Sequence, residues 1–147
     1  MAETVEEKIF RALIERVRIM PLPVGWTVAA NIAFPGVAFT PTASKPFLSI
    51  EVHFNRSIET DISMEMDPIR QGFLRANVMW PKGQGMFQAI DFAGKVRAFF
   101  RRGTQLTFEG TRTDINEDPE LGPHITGDTH IAQPVTIRWQ CMPAVPA

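Results

Sequence analysis

The stretch from Arg70 to Gly103 constrains the fold most, because it carries two different hydrophobic periods joined by a short break. In RQGFLRANVMW, Gly72, Leu74, Ala76, Val78 and Trp80 share one side. Gln71, Arg75 and Asn77 share the other, with Phe73 and Met79 as apolar exceptions. A period of two predicts a strand with one buried face. Pro81, Gly83 and Gly85 end the extended run, since each favours a reversal of the chain. From Met86 the spacing turns helical: Met86, Ile90, Ala93, Val96 and Phe100 form a stripe, widened by Phe87, Ala89 and Phe99. Arg101 and Arg102 fall where cations suit a helix C-terminus, and Gly103 supplies the left-handed stop. Such a unit buries a sheet face under a helix, and nothing in it points to chemistry.

The flanking segments extend the same pattern. Thr4 and Glu7 form a capping box ahead of Val5, Ile9, Leu13, Val17 and Met20, a stripe broadened by Phe10, Ala12 and Ile14. Pro21 and Pro23 close this first helix, which runs from Glu3 or Thr4 to Met20. Alternation over Trp26–Phe34 predicts a strand. Residues 35–46, with Pro35, Pro41 and Pro46, read as an irregular segment, either packed back on its own sheet or docking a partner. Phe47–Phe54, Ile58–Met66 and the Arg70 strand read as an antiparallel meander with one wet face. Short strands follow at Thr104–Phe108 and Thr111–Ile115. Asn116–Thr129 reads as a loop, and the last strand carries Ile131, Val135, Ile137 and Trp139 on one side. Pro134 marks that strand as an edge or a bulge. The fold class is α+β: a mostly antiparallel sheet with two amphipathic helices packed on one face, in a single domain spanning residues 1–147.

A length of 147 residues suits one core without staples. The formal charge of −1 gives no global case for binding nucleic acid or an anionic membrane. One cysteine, Cys141, excludes an internal disulfide. No apolar run reaches membrane-helix length, and the acidic start MAETVEEKIF lacks a signal-peptide core, so the chain is expected to stay inside the cell.

Catalytic templates fail. There is no phosphate-binding glycine motif, and Cys141 reads as a partly buried structural thiol. His53 reads as a histidine on the polar face of its strand. The densest set of ligand-type side chains is Asp114, Glu117, Asp118, Glu120, His124, Asp128 and His130. It lacks metal-site spacing and reads as a solvated loop. The alternative is a small metal-dependent hydrolase using the Asp114–His130 loop. A third reading is a dimeric α+β ligand-binding module using the sheet face opposite the helices. Lys95, Arg97, Arg101, Arg102 and Arg112 read as helix surface and dipole compensation. No catalytic, cofactor-binding or metal residue is assigned.

The order of features resembles the tailed-phage tail terminator-like family. The resemblance rests on IAFPGVAFTPTASKPFLSIEV, on RQGFLRANVMWPKGQGMFQAIDFAGKVRAFFRRGTQL and on LGPHITGDTHIAQPVTIRW, from about Val5 to Trp139. It implies a structural subunit of a hexameric ring that ends tail-tube polymerisation and presents a head-joining surface. The implied partners are further copies of itself, the tail tube protein and a head–tail connector protein, with DNA passing through the ring. The implied location is the host cytoplasm during assembly and then the virion tail. A ring needs two unlike, complementary patches on each subunit. The expected ones are the Pro-braced segment with Phe34, Val37 and Phe39, and the 117–129 loop with Leu121 and Ile125. The charged alternative sets Glu51, Glu59, Asp61 and Glu65 against Arg101, Arg102 or Arg112 of a neighbour.

Overall fold

A computed structural model describes residues 4–57 and 68–142. In chain order the elements are helix α1 (Val5–Arg18), the single turn α2 (Val28–Asn31), and strands β1 (Ile32–Ala33), β2 (Phe47–Phe54) and β3 (Arg70–Pro81). Then come helix α3 (Phe87–Phe99) and strands β4 (Gln105–Phe108), β5 (Thr111–Ile115), β6 (Glu120–Leu121), β7 (Ile125–Thr126) and β8 (His130–Cys141). The strands make one sheet in the order β1-β2-β3-β8-β5-β4, with β6 and β7 also on β8. All pairs are antiparallel except β1 with β2. The α+β expectation holds, with one short helical turn added.

The alternation of β3 sets the core. Leu74, Ala76 and Val78 are buried beside Leu48 and Ile50 of β2 and Val135 and Ile137 of β8, all on one face. That face continues through Ile115 and Thr113 of β5 to Leu106 of β4. Onto it pack α1, through Ile9, Leu13 and Val17, and α3, through Ala89, Phe92, Ala93 and Val96. The stripe on α3 differs from the expected one. Phe92 is buried, whereas Phe87 and Ile90 are exposed, so the buried face lies on the side opposite Phe87. On α1, Thr4 Oγ1 accepts from Glu7 N–H at 3.2 Å. The Glu7 carboxylate accepts from Arg11 Nε at 2.8 Å.

The helices are also tied end to end. Arg16 donates through a terminal nitrogen to the Phe99 carbonyl at 2.7 Å, and its guanidinium lies 3.7 Å from the centre of the Phe99 ring. That carbonyl is in the last turn of α3, where it has no partner within the helix. Burial pushes the Arg16 pKa down, an expense offset by the hydrogen bond and the ring contact.

Three sequence expectations are corrected. Trp26–Phe34 is not a strand: Thr27 Oγ1 accepts from Ala30 N–H at 3.1 Å, and this N-cap winds residues 28–31 into α2, leaving only Ile32–Ala33 extended. The order of the meander is corrected too, while the strand expected at Ile58–Met66 lies outside the described residues. Strand β2 pairs directly with β3, from Phe47 opposite Met79 to Phe54 opposite Gly72. Finally, β8 is neither an edge nor bulged at Pro134; it lies between β3 and β5. The Pro134 carbonyl accepts from Gly122 N–H at 2.9 Å, so its missing donor faces the side where pairing is already broken into the short pieces β5, β6 and β7.

Gly72 is the point of closest approach. A Cβ there would stand 2.6 Å from Trp139 Cζ2 and would also meet the His53 carbonyl oxygen. We expect Gly72→Ala to lower stability by about 1–3 kcal/mol, as an overpacked core does, measured as the denaturant midpoint. An unchanged midpoint would refute the close packing of Trp139 on β3. A second expectation concerns Glu6, whose carboxyl is held below its ordinary value of 4.5 by its own backbone N–H and then by Arg70 Nε at 3.0 Å, against burial. A depressed folded-state pKa adds stability above the unfolded value that is lost as pH falls through the folded one. The midpoints of wild type and Glu6→Gln should therefore differ at neutral pH and converge below about pH 4.5. A constant gap would place the effect elsewhere.

Candidate assembly surfaces

The seven ligand-type side chains of the Asp114–His130 region do not converge. Asp114 pairs with Arg112 at 2.9 Å, Glu117 with Arg138 at 3.4 Å, and Asp118 accepts from the backbone N–H of Arg102 at 3.1 Å. Glu120, His124 and Asp128 are exposed. Among the described residues no three His, Cys, Asp or Glu side chains are placed to hold a metal.

The Asn116–Thr129 segment is also not a free loop. Pro119 is buried and its carbonyl accepts from Arg97 Nε at 2.8 Å, while β6 and β7 pair with β8. Buried Gln133 donates its amide to the carbonyls of Gly122 at 2.7 Å and Pro134 at 3.2 Å. One buried amide thus satisfies two acceptors and fixes the segment to the sheet.

His130 overturns the solvated reading most clearly. It is buried, with Nε2 2.8 Å from the Lys45 carbonyl and Nδ1 2.8 Å from Thr129 Oγ1. A carbonyl can only accept, so Nε2 donates to Lys45. The ring also meets Phe47 edge-on at 5.1 Å, and Phe47 in turn meets Phe39 at 5.1 Å. The Pro-braced segment is therefore packed back on its own sheet through Phe39 and Lys45. Phe34 is likewise packed on the core, with the Arg18 guanidinium 5.4 Å from its ring centre.

What remains outward is a different set. Val37 is 63% exposed and Ile125 60%, with Leu121 lower at 38%. Arg101 and Arg102 are exposed beyond the C-terminal end of α3. Sequence reasoning missed the largest apolar exposure: Phe87, 95% exposed, and Val24, fully exposed, flank an open groove of about 830 Å³. Trp26 forms its wall, stacked on Trp80 at 6.2 Å and edge-on to Phe92 at 5.1 Å. A second cleft shares Val24, Trp26 and Pro46 with this groove, and a third, with Ile125, shares Phe47 with the second. The groove is lined by α3 and by the segment after α1, not by both helices as an enclosed ligand pocket would require. A signal existed in the sequence: Phe87 has no place on the stripe of Ala89, Phe92, Ala93 and Val96.

Because His130 is structural, we expect His130→Ala to cost about 1–3 kcal/mol through the unpaired Lys45 carbonyl. His124→Ala and Asp128→Ala should stay within about 0.5 kcal/mol of wild type. Thermal unfolding of the three variants checks this, and equal midpoints would return His130 to the solvated loop.

No curated protein matches the chain. Among solved structures, one shares the fold at a TM-score of 0.75, with 22% identity over 97% of this chain and 98% of that one. Among the described residues no helix is long and apolar enough to cross a membrane. A family model described as phage tail terminator protein matches residues 8–139. The chain belongs to the phage tail terminator protein family, a family of phage tail structural proteins.

Proposed function

We propose that this protein is the terminator subunit of a hexameric ring that stops tail-tube polymerisation and offers the head-joining surface. The observation that supports it best is the belt of adjoining clefts around Val24, Phe87 and Ile125, on a member of a tail terminator family. Exposed apolar area of this kind marks interaction sites more often than it occurs on free monomers. The ring, the tail tube protein and the head–tail connector protein are the partners this reading names. Within it, Val37, Leu121 and Ile125 supply apolar contacts, while Arg101 and Arg102 supply charged ones. Phe34 and Phe39, committed to their own core, support the contact from behind.

The test is native mass of the purified protein, alone and with tail tube protein, at low and high salt. A mass of six chains is expected, resistant to salt and reduced by Val37→Asp or Ile125→Asp, because apolar contacts are not screened beyond the ~8 Å Debye length as exposed ion pairs are. Dissociation by salt or by Arg101→Glu alone would move the interface to the charged surface. A monomer under every condition would end the ring reading.

A further inference from the structure

The groove beside Phe87 has the composition of a polyproline-binding slot. Its floor and walls are aromatic, through Trp26, Trp80, Phe87 and Phe92, and Gln84 and Gln88 stand exposed on its rim. Extended proline-containing peptides dock into such aromatic slots because their helix is preformed and loses little entropy, and their exposed carbonyls accept from rim donors. The volume of about 830 Å³ lies in the range of small-ligand sites. Immediately after β8 the chain reads Met142-Pro143-Ala144-Val145-Pro146, two prolines at P-x-x-P spacing with small apolar residues between them. Residues 143–147 lie outside the described structure.

The topology decides whose tail can reach. Trp80 is opposite Ile131 at the start of β8, and Pro46 lies there too, next to the Lys45 carbonyl held by His130. The groove is therefore at the start of β8, while Met142 follows its far end. Twelve residues of β8 separate them, about 40 Å at 3.4 Å per residue. Residues 142–146 span at most about 17 Å. The tail cannot enter the groove of its own chain, whatever follows Pro146.

We infer that the groove of Trp26, Trp80 and Phe87 receives residues 143–146 of a second copy. This contact rests on the ring reading and specifies it: end-to-groove pairing is heterologous, the kind of contact that closes into a ring.

The experiment has two arms. In the first, a synthetic peptide of residues 142–147 is titrated into isotope-labelled protein lacking residues 143–147. The indole N–H resonances of Trp26 and Trp80 should move saturably while that of buried Trp139 stays still. A peptide with Pro143→Ala and Pro146→Ala, or protein carrying Phe87→Asp, should bind at least about tenfold more weakly, as loss of an anchor residue does. In the second arm, the truncated chain should assemble at least about tenfold more weakly than the full chain in native mass. Both protein variants alter exposed or terminal positions, and an unchanged melting curve confirms their fold. A peptide that leaves the indoles unmoved, or a ring that forms equally well without residues 143–147, overturns this contact while the ring stands. The same holds if Phe87→Asp abolishes assembly and truncation does not, which would assign the groove to the tube protein or the 34–46 segment. A chain monomeric even with tube protein overturns both the contact and the ring.

Discussion

The seating of Trp139 over Gly72 is the contact on which the rest of this structure depends. Trp139 is the largest fully buried side chain, and its strand partner is the one residue of β3 whose Cβ would collide with it. Phe54, opposite Gly72 on the other side, meets the indole edge-on at 5.2 Å. Three strands are thereby locked in one row. A slip of β8 by one residue would bring a side chain under the indole and turn Val135, Ile137 and Trp139 to the wet face. The helices then have only one apolar surface to cover. The indole Nε1 of Trp139 is buried without a hydrogen-bond partner among the described residues; burial of the ring outweighs that cost, since an aromatic of this size removes 150–250 Å² from water, roughly 4–6 kcal/mol at 25 cal/mol/Å².

Much of this was legible in the sequence where one period dominated. The face of β3, the stripe of α1 and the strands Phe47–Phe54 and Thr111–Ile115 follow directly from spacing. The failures each have a physical cause. At Trp26–Phe34 a local cap, Thr27, competes with alternation and wins over four residues. In α3 the hydrophobic residues surround the helix, so periodicity alone could not say that Phe92 faces in and Phe87 out; the sheet decides. Pro134 signals an edge only if every strand edge is uniformly paired, and β8 has one continuous side and one broken side. His130 looked like a loop residue because its acceptor, the Lys45 carbonyl, is 85 residues away in the chain. Long-range polar pairs of this kind leave no local trace.

The candidate surfaces were legible only in part, for a related reason. Exposure is what remains after the core has taken what it can reach. The Pro-braced segment carries Phe34, Val37 and Phe39, and all three invite a docking reading from sequence. The fold consumes two of them, Phe34 against the core and Phe39 against Phe47, and leaves Val37. The charged residues are similarly consumed. Arg97 and Arg138 find a carbonyl and a carboxylate on a neighbouring segment, and Arg112 finds Asp114 within its own strand, which removes charge that composition alone would offer to a partner.

Polar groups here are spent in pairs that brace segments against the sheet, while the two most exposed large apolar groups among the described residues, Phe87 and Val24, stand outward at one end of it. The opposite end carries Arg101, Arg102 and the start of the proline-spaced tail. A chain whose ends differ in this way favours unlike-to-unlike contact over self-matching pairs, because two apolar ends facing each other would leave the proline tails and the arginines without partners. Heterologous contact can propagate without limit or close by rotation. In the proposed ring a short tether settles between the two: about 17 Å of extended chain limits how far each copy can sit from the next, and rigid grooves at fixed spacing give the rotation no freedom to drift into a filament.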